Sequence, residues 1–391
     1  MTDIAKKNGR TFRAIYSLAF FLALTISFPA YINSTFLEQY ISESMVGILY
    51  TIGSILTLVV LINMPRIVRR FHNYHVTIAL GILQILFLFT LAFSKNIYLL
   101  VIAFSCYLAV MSALWFTIDL FLENYSQNKS TGEIRGAYLT ITNIAWIVSP
   151  LAVGTILSDS NYWRIYTIAA LCIIPVMFLA YFRLRSFRDP NYETIPFFSA
   201  IKQSWKNKNI FKIFSIEFLL RFFYSWMVIY MPLYLHNHVG FEWQEIGAIF
   251  TIMLLPFILF ETPVGTLADK KWGEKEFLSI GIAIISISTV AIYFIDSTNF
   301  LVWTALLFVT RIGASIIEIM DESYFFKQID GTDASLLEVF RNTHSLAYII
   351  SPIVAMIVLS LFGNDYRYLF LALGLIMATG LFQSLTLKDT K

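Results

Sequence analysis

The sequence predicts an all-α membrane protein of twelve transmembrane helices arranged as two pseudo-symmetric six-helix bundles. Three observations predict it. The 391 residues are 58% apolar and only 14% charged, with 36 Phe, which is more apolar surface than a water-soluble fold of this size can hide. The apolar residues fall in twelve runs, most of them about 20 residues or longer, the length needed to cross a hydrocarbon core of about 30 Å. Features of the first six runs recur in the second six at an offset of about 200 residues.

The runs lie near 14–36, 45–64, 74–93, 97–121, 134–158, 163–183, 210–236, 243–264, 277–295, 299–325, 335–361 and 365–386. Each is read as a helix because lipid leaves no backbone polar group satisfied from outside. Lys6, Lys7, Arg10 and Arg13 before the first run resemble the basic region of a signal peptide, but the run is too long and no small-residue cleavage site follows it. It is read as a retained first span. Spans three and four are joined by a few residues around Lys95, and five and six by a stretch around Asp159, so these neighbours are antiparallel.

Placing both termini in the cytoplasm makes a demand on Lys and Arg, which collect in inner loops. Of the 28 such residues only Lys95, Arg164 and Arg367 fall outside, while Arg221, Arg311 and Arg341 lie within spans; the rest are cytoplasmic. The chain is therefore expected in the inner, cytoplasmic membrane. Its longest polar stretch, 184–209, is expected to be a cytoplasmic linker between an N-terminal bundle, 1–183, and a C-terminal bundle, 210–391.

Several function classes are excluded on these grounds. The net charge of +3 comes from basic clusters set by topology, so no nucleic-acid partner is expected. Cys106 and Cys172 both sit inside apolar runs without partner spacing, so neither a disulfide nor a metal site is implied, and no cofactor is expected. No Gly-x-Ser-x-Gly elbow and no His-rich or Cys-rich ligand spacing occurs, which argues against an enzyme. The absence of a Gly-x-x-x-x-Gly-Lys-Ser/Thr loop argues against a nucleotide-driven pump.

The internal repeat is carried by residues in common order. Gly47 corresponds to Gly247; at an offset of 202 Asp119 falls on Asp321, and Trp146-Ile147-Val148-Ser149-Pro150 falls on Tyr348-Ile349-Ile350-Ser351-Pro352. Two duplicated six-helix halves packed face to face leave a cavity between them, which rocking opens alternately to each side.

One segment carries a family resemblance. Gly265-Thr266-Leu267-Ala268-Asp269-Lys270-Lys271-Trp272-Gly273-Glu274-Lys275 resembles the Gly-x-Leu-Ala-Asp-Arg/Lys-x-Gly-Arg/Lys loop of the major facilitator superfamily, and it follows an even-numbered span as in that family. With the helix count, the length and the repeat, the resemblance covers the whole chain. It implies a cytoplasmic gate built on Gly265, Asp269, Lys270 and Gly273. The copy after span two departs from the pattern: Pro65-Arg66-Ile67-Val68-Arg69-Arg70 lacks both the glycine and the acid, and Arg69 stands where the second copy has Asp269. A reversal of charge is one reading, with Asp269 meeting Arg135 at the start of span five, where a helix N-terminus also favours an anion, and Arg69 meeting Glu338 at the start of span eleven. The other reading is that Arg69 and Arg70 only enforce topology. Ser149-Pro150-Leu151-Ala152-Val153-Gly154 is a partial echo of the family's Gly-Pro-x-x-Gly-Gly antiporter motif, with two glycines missing.

Ionisable side chains inside the hydrocarbon are costly unless paired or facing a cavity, so each is a functional candidate. Glu217 and Arg221 are four apart and share a helix face. Arg311, Ser315, Glu318 and Glu322 form a polar stripe on span ten with Asp321 at its edge. The resemblance implies that spans one, four, seven and ten line the central cavity, which puts both sets there. At about 1.5 Å per residue Arg221 lies roughly 16 Å deep, near the midplane, and Arg311 is placed similarly. Two readings stay open: Arg221 and Arg311, with Tyr224, hold an anionic or carboxylate-bearing substrate, or Arg221 closes on Glu217 and Arg311 on Glu318 as ion pairs. In either case a carboxylate that exchanges its Arg partner for a proton couples transport to the proton gradient. Glu318 is the first candidate and Glu217 the second, followed by Glu322. His344 is either a packed hydrogen-bonding residue or a further proton group. Asp119 and Asp321 sit near the inner ends of spans four and ten and read as solvated gate residues. Asn33, Trp115, Asn143 and Trp146 in the first half suit a partly apolar organic substrate.

The expected function is alternating-access transport of a small organic molecule across the cytoplasmic membrane, proton-coupled, by a monomer in the lipid bilayer. The competing class is a non-transporting membrane sensor or scaffold that keeps the fold, which requires a dry, closed centre in place of the Arg and Glu residues found there.

Overall fold

The computed structural model describes residues 2–125, 131–157, 161–185, 187, 207–268, 273–328 and 334–388. Among these no strand occurs. The helices are α1 (Thr2–Ala30), α2 (Glu43–Phe71), α3 (Asn73–Phe93), α4 (Ile97–Tyr125), α5 (Thr131–Ile156), α6 (Tyr162–Leu179), α7 (Lys208–Leu233), α8 (Trp243–Leu259), α9 (Glu274–Tyr293), α10 (Phe300–Gln328), α11 (Ala334–Leu361) and α12 (Arg367–Ala378). Short helices extend α1 (Asn33–Glu38), α8 (Glu261–Leu267) and α12 (Gly380–Leu385), and wider π turns extend α6 (Ala180–Leu184) and α7 (Tyr234–Val239). Eleven segments are long and apolar enough to span a membrane, and the shorter apolar Thr140–Ile156 within α5 completes twelve.

Local signals fix the ends. Asn207 caps α7 by accepting from the backbone N–H of Asn209 (3.0 Å) and Ile210 (3.4 Å). Glu242 and Glu245 form a reciprocal capping box at the start of α8. Gly273 opens α9 at φ 84°, a left-handed conformation that explains the glycine at this place in the loop signature. Pro29, Pro65, Pro150, Pro175, Pro232, Pro256 and Pro352 lie inside helices, where neighbouring side chains and local readjustment compensate for the lost N–H.

By contacts the chain divides into unit 1 (Met1–Tyr40 and Ile52–Thr194) and unit 2 (Ile41–Thr51 and Ile195–Lys391). Their internal neighbour patterns correspond: α1 packs on α5 and α6, α3 on α4 and α6 in the first, while α7 packs on α11 and the helix extending α12, α9 on α10 and α12 in the second. In unit 1, Ile15, Leu18 and Leu22 of α1 meet Leu114, Ile118 and Phe121 of α4 and Ile173 and Val176 of α6. In unit 2 the largest fully buried side chains include Trp226, Trp303, Tyr230 and Tyr324. Ile287, Leu301 and Phe382 are more than two-thirds exposed, as expected of side chains whose solvent is lipid rather than water.

Polar contacts tie the helices at repeated places. Ser149 on α5 hydrogen-bonds Ser27 on α1 at 2.6 Å, and Ser351 on α11 hydrogen-bonds Ser225 on α7 at 2.6 Å. Trp226 Nε1 donates to the Ser351 carbonyl at 2.7 Å. The first turns of α2, which belong to unit 2, are held by Tyr366 donating to Glu43 at 2.8 Å and Thr51 donating to the Ile349 carbonyl at 3.3 Å. The segment after α12 folds back on the first turns of α7: Tyr324 donates to the Lys388 carbonyl at 2.8 Å, the Lys388 N–H donates to Asn209 Oδ1 at 3.3 Å, and Lys212 donates to the Thr386 carbonyl.

Close helix packing depends on glycine at α9 and α10. A Cβ on Gly313 would lie 2.7 Å from the Ile285 backbone nitrogen and 2.8 Å from the Gly281 oxygen. Only small residues permit that approach, and in lipid such packing is a main source of helix association.

Candidate functional site

The ionisable residues of α7 and α10 assemble in unit 2. The i, i+4 spacing on α7 places Arg221 Nε 2.7 Å from Glu217 Oε1, and Arg221 Nη1 reaches Glu318 Oε1 on α10 at 3.1 Å. Tyr224 Oη donates to the other Glu318 oxygen at 2.9 Å. Glu318 thus has both oxygens bonded, and it is Arg221 rather than Arg311 that pairs with it. The Arg311–Glu318 pair, one of the two open readings, is not formed. Seven residues separate the two along α10, about 10 Å of helix, whereas α7 presents Arg221 and Tyr224 to Glu318 from across the contact. The side chains of Arg221 and Glu318 keep 19% and 26% of their accessible surface, while Glu217 keeps 4%. The triad therefore has one end reachable from outside and one end closed.

Arg311 differs from Arg221. It is 1% exposed, and its Nε and Nη1 find no hydrogen-bond acceptor among the described residues. Its guanidinium lies over the rings of Phe223 (5.0 Å) and Tyr224 (5.6 Å). Each desolvated cation–π contact is worth up to about 2 kcal/mol, comparable with the roughly 2.5–3.5 kcal/mol cost of an arginine at the centre of a membrane helix on insertion scales. The rings offset the charge, but they offer no lone pair in the guanidinium plane to its N–H groups.

Asp321 requires a correction. Expected as a solvated gate residue, it is fully buried, its two oxygens meet no donor within hydrogen-bond geometry among the described residues, and it stands beside the Glu217 carboxyl. One turn further along α10, Phe325 stacks on Phe340 of α11 at 4.3 Å, and Phe214 of α7 packs against both rings. Glu322 is half-buried, and Glu261, absent from the residues expected at the site, stands at the break after α8 in the electrostatic field of Glu318 and Glu322. An acid at the end of an apolar run was the available signal. His344 is exposed and stacks on Tyr348 at 4.4 Å.

The unit 1 residues come from the short helix extending α1, from α4 and from α5. Asn33 is buried and accepts from Tyr166 Oη at 2.8 Å, so its amide oxygen serves the fold. Trp115 meets Tyr138 edge-on at 6.3 Å, and Trp146 meets Tyr31 in the same manner at 6.3 Å; Asn143 is half-buried nearby on α5. A separate cleft of about 360 Å³ is lined by Arg13, Tyr16, Ser17, Phe20, Phe21 and Ile141.

Of the gate residues, Asp269 and Lys270 and the side chains of Arg135 and Glu338 lie outside what the structure describes. Arg69 is exposed at the C-terminal end of α2. Asp119 accepts from Tyr138 Oη at 3.2 Å, joining α4 to α5. Beyond Gly273, the loop signature is anchored by Glu274. It is buried at the start of α9, where the helix dipole favours an anion, and it accepts from Ser323 (3.2 Å) and Lys327 of α10. Gly265 faces Ile319 of α10.

The comparisons agree with this architecture. A crystal structure of a mutant of the nucleoside transporter NupG superposes on 97% of this chain and 100% of its own with a TM-score of 0.75, at 14% sequence identity, a likeness of fold. No curated protein sequence matches the chain. The sequence pattern of the Major Facilitator Superfamily matches residues 14–324 and 244–390, and with twelve membrane helices in two corresponding bundles the chain belongs to that superfamily of membrane transporters.

Proposed function

We propose that the chain is a secondary active transporter that moves a small organic solute across the cytoplasmic membrane by alternating access, coupled to protons. The observation that carries this reading is Glu318, a partly accessible carboxylate bonded at once to Arg221 and Tyr224 within a membrane span. A proton arriving there replaces the ionic half of the Arg221 contact, leaving Arg221 to Glu217 and Tyr224 free to turn. A buried ion pair stripped of one partner is costly, so protonation and local rearrangement are energetically linked. Glu217, Glu322 and His344 are secondary positions on the proton route. Tyr224 is a substrate contact in unit 2, and Trp115, Asn143 and Trp146 are the aromatic and amide contacts in unit 1. Arg69, Arg135, Glu338, Asp269, Lys270, Gly265, Gly273 and Asp119 act at the cytoplasmic gate. Both termini face the cytoplasm, and the monomer is the working unit.

The test is flux in proteoliposomes under an imposed pH gradient, screening small organic solutes with wild type and Glu318→Gln. Wild type accumulates its solute against a gradient, and the variant only equilibrates it. Undiminished gradient-driven accumulation in Glu318→Gln removes Glu318 from the coupling role. Flux through neither protein for any solute favours a sensor or scaffold.

A further inference from the structure

We propose that Arg311 is the docking point for an oxyanion of the transported solute, so that the substrate class is an organic carboxylate or phosphomonoester. This rests on the transporter reading and deepens it. The two intramembrane guanidiniums of α7 and α10 are in opposite situations. Arg221 has a carboxylate on Nε and another on Nη1. Arg311 is as deeply buried as any apolar core residue, and the buried Nε and Nη1 have no acceptor among the described residues. Glu318, the acid on its own helix face, is committed through one oxygen to Arg221 and through the other to Tyr224.

A guanidinium presents parallel N–H groups in a planar fork that matches a carboxylate or a phosphate. Neutral amides and alcohols offer only single, weaker acceptors, and amines none. Tyr224 makes the position selective as well as available. Its ring lies 5.6 Å from both the Arg221 and the Arg311 guanidinium, while its hydroxyl holds Glu318. Half-buried and lying against the Arg311 guanidinium, it is the side chain placed to turn for a solute to reach Arg311, and turning it releases its bond to Glu318. An anion on Arg311 and an ionised Glu318 then repel each other across one tyrosine ring, so anion and proton enter together. Arg311 binds, Tyr224 admits, and Glu318 carries the accompanying proton.

The experiment uses the full-length chain in detergent and matched probes: benzoate with benzamide, octanoate with octanamide, phenyl phosphate with phenol, and benzylamine as a cation. Thermal unfolding is recorded for wild type, Arg311→Gln and Arg311→Lys across a concentration series. The expected result is stabilisation by acids of one class and not by their neutral partners. The apparent affinity falls about tenfold or more in Arg311→Gln and by an intermediate factor in Arg311→Lys, which keeps the charge and loses the fork. The carboxylates and phenyl phosphate separate the two oxyanion classes. Equal stabilisation by acid and amide, stabilisation by benzylamine alone, unchanged acid affinity in Arg311→Gln, or no response to any acid overturns the assignment. If Arg311→Gln does not fold, unchanged affinity in Arg311→Lys does so instead. Gradient-driven uptake of an amide or amine in proteoliposomes sinks the oxyanion class and leaves the transporter reading standing. Arg311-dependent binding of benzoate with no flux of any solute does the reverse.

Discussion

Ser351 donates a 2.6 Å hydrogen bond to Ser225, fastening α11 to α7, and it has a twin in Ser149 and Ser27, fastening α5 to α1 at the same distance. Both clasps stand one residue before a helical proline, Pro352 and Pro150. Interhelical hydrogen bonds within a bilayer average about 0.6 kcal/mol and reach about 1.7. Ser351→Ala and Ser149→Ala are each expected to destabilise within that range, and a double-mutant cycle of Ser351→Ala with Ser225→Ala is expected to recover most of the loss as coupling. Additive effects in thermal unfolding would mean that the clasp is incidental.

Arg221 is held by two carboxylates, so its removal leaves two uncompensated anions. Arg221→Ala is expected to cost about 3–5 kcal/mol. Adding Glu318→Gln to Arg221→Ala is expected to restore part of that stability, because one stranded charge is removed. Equilibrium unfolding in mixed micelles reads both, and a double variant no more stable than Arg221→Ala alone argues that the network contributes little.

Gly313 faces backbone atoms of α9, whereas among the described residues a Cβ on Gly265 would meet only the flexible Ile319 side chain at 3.6 Å. Gly313→Ala is therefore expected to destabilise by about 1–3 kcal/mol through overpacking. Gly265→Ala is expected to be near neutral for stability. Similar melting temperatures for the two variants would show that α9 and α10 part without penalty.

Asp365, in the loop before α12, accepts from Arg367 Nη2 at 2.8 Å and from the Arg367 backbone N–H at 2.9 Å, and these bonds hold its carboxyl below the usual carboxylate value. A depressed folded value means that the stabilisation is complete above the unfolded value, near 3.8, and is lost as pH falls through the lower folded value. Melting temperature is expected to decline on acidification below about pH 4, and Asp365→Asn is expected to flatten that decline. Parallel pH profiles for wild type and Asp365→Asn would place the acid sensitivity elsewhere.

Span positions and the loop signature were legible because each depends on local composition: a run of apolar residues has one way to satisfy its backbone in lipid. The Glu217–Arg221 contact was legible for the same reason, since spacing along one helix fixes its face. What crosses between helices was not. Whether Glu318 meets Arg311 or Arg221 depends on helix rotation and depth to within a turn, and Tyr224 as the second donor to Glu318 has no sequence signature. Asp321 sits near the end of its helix and reads as solvated, whereas the packing of neighbouring helices buries it. Ser149 and Ser351 stood out in the repeat, yet their partners Ser27 and Ser225 did not.

The return of the segment after α12 onto the first turn of α7, through Tyr324, Lys388, Asn209 and Lys212, makes the second bundle mechanically a closed hoop. The first turn of α7 and the segment after α12 cannot open without pulling on each other, so local opening there is cooperative. A reporter protein fused beyond Lys388 would load α7 directly, and α7 is the helix that carries Glu217, Arg221 and Tyr224.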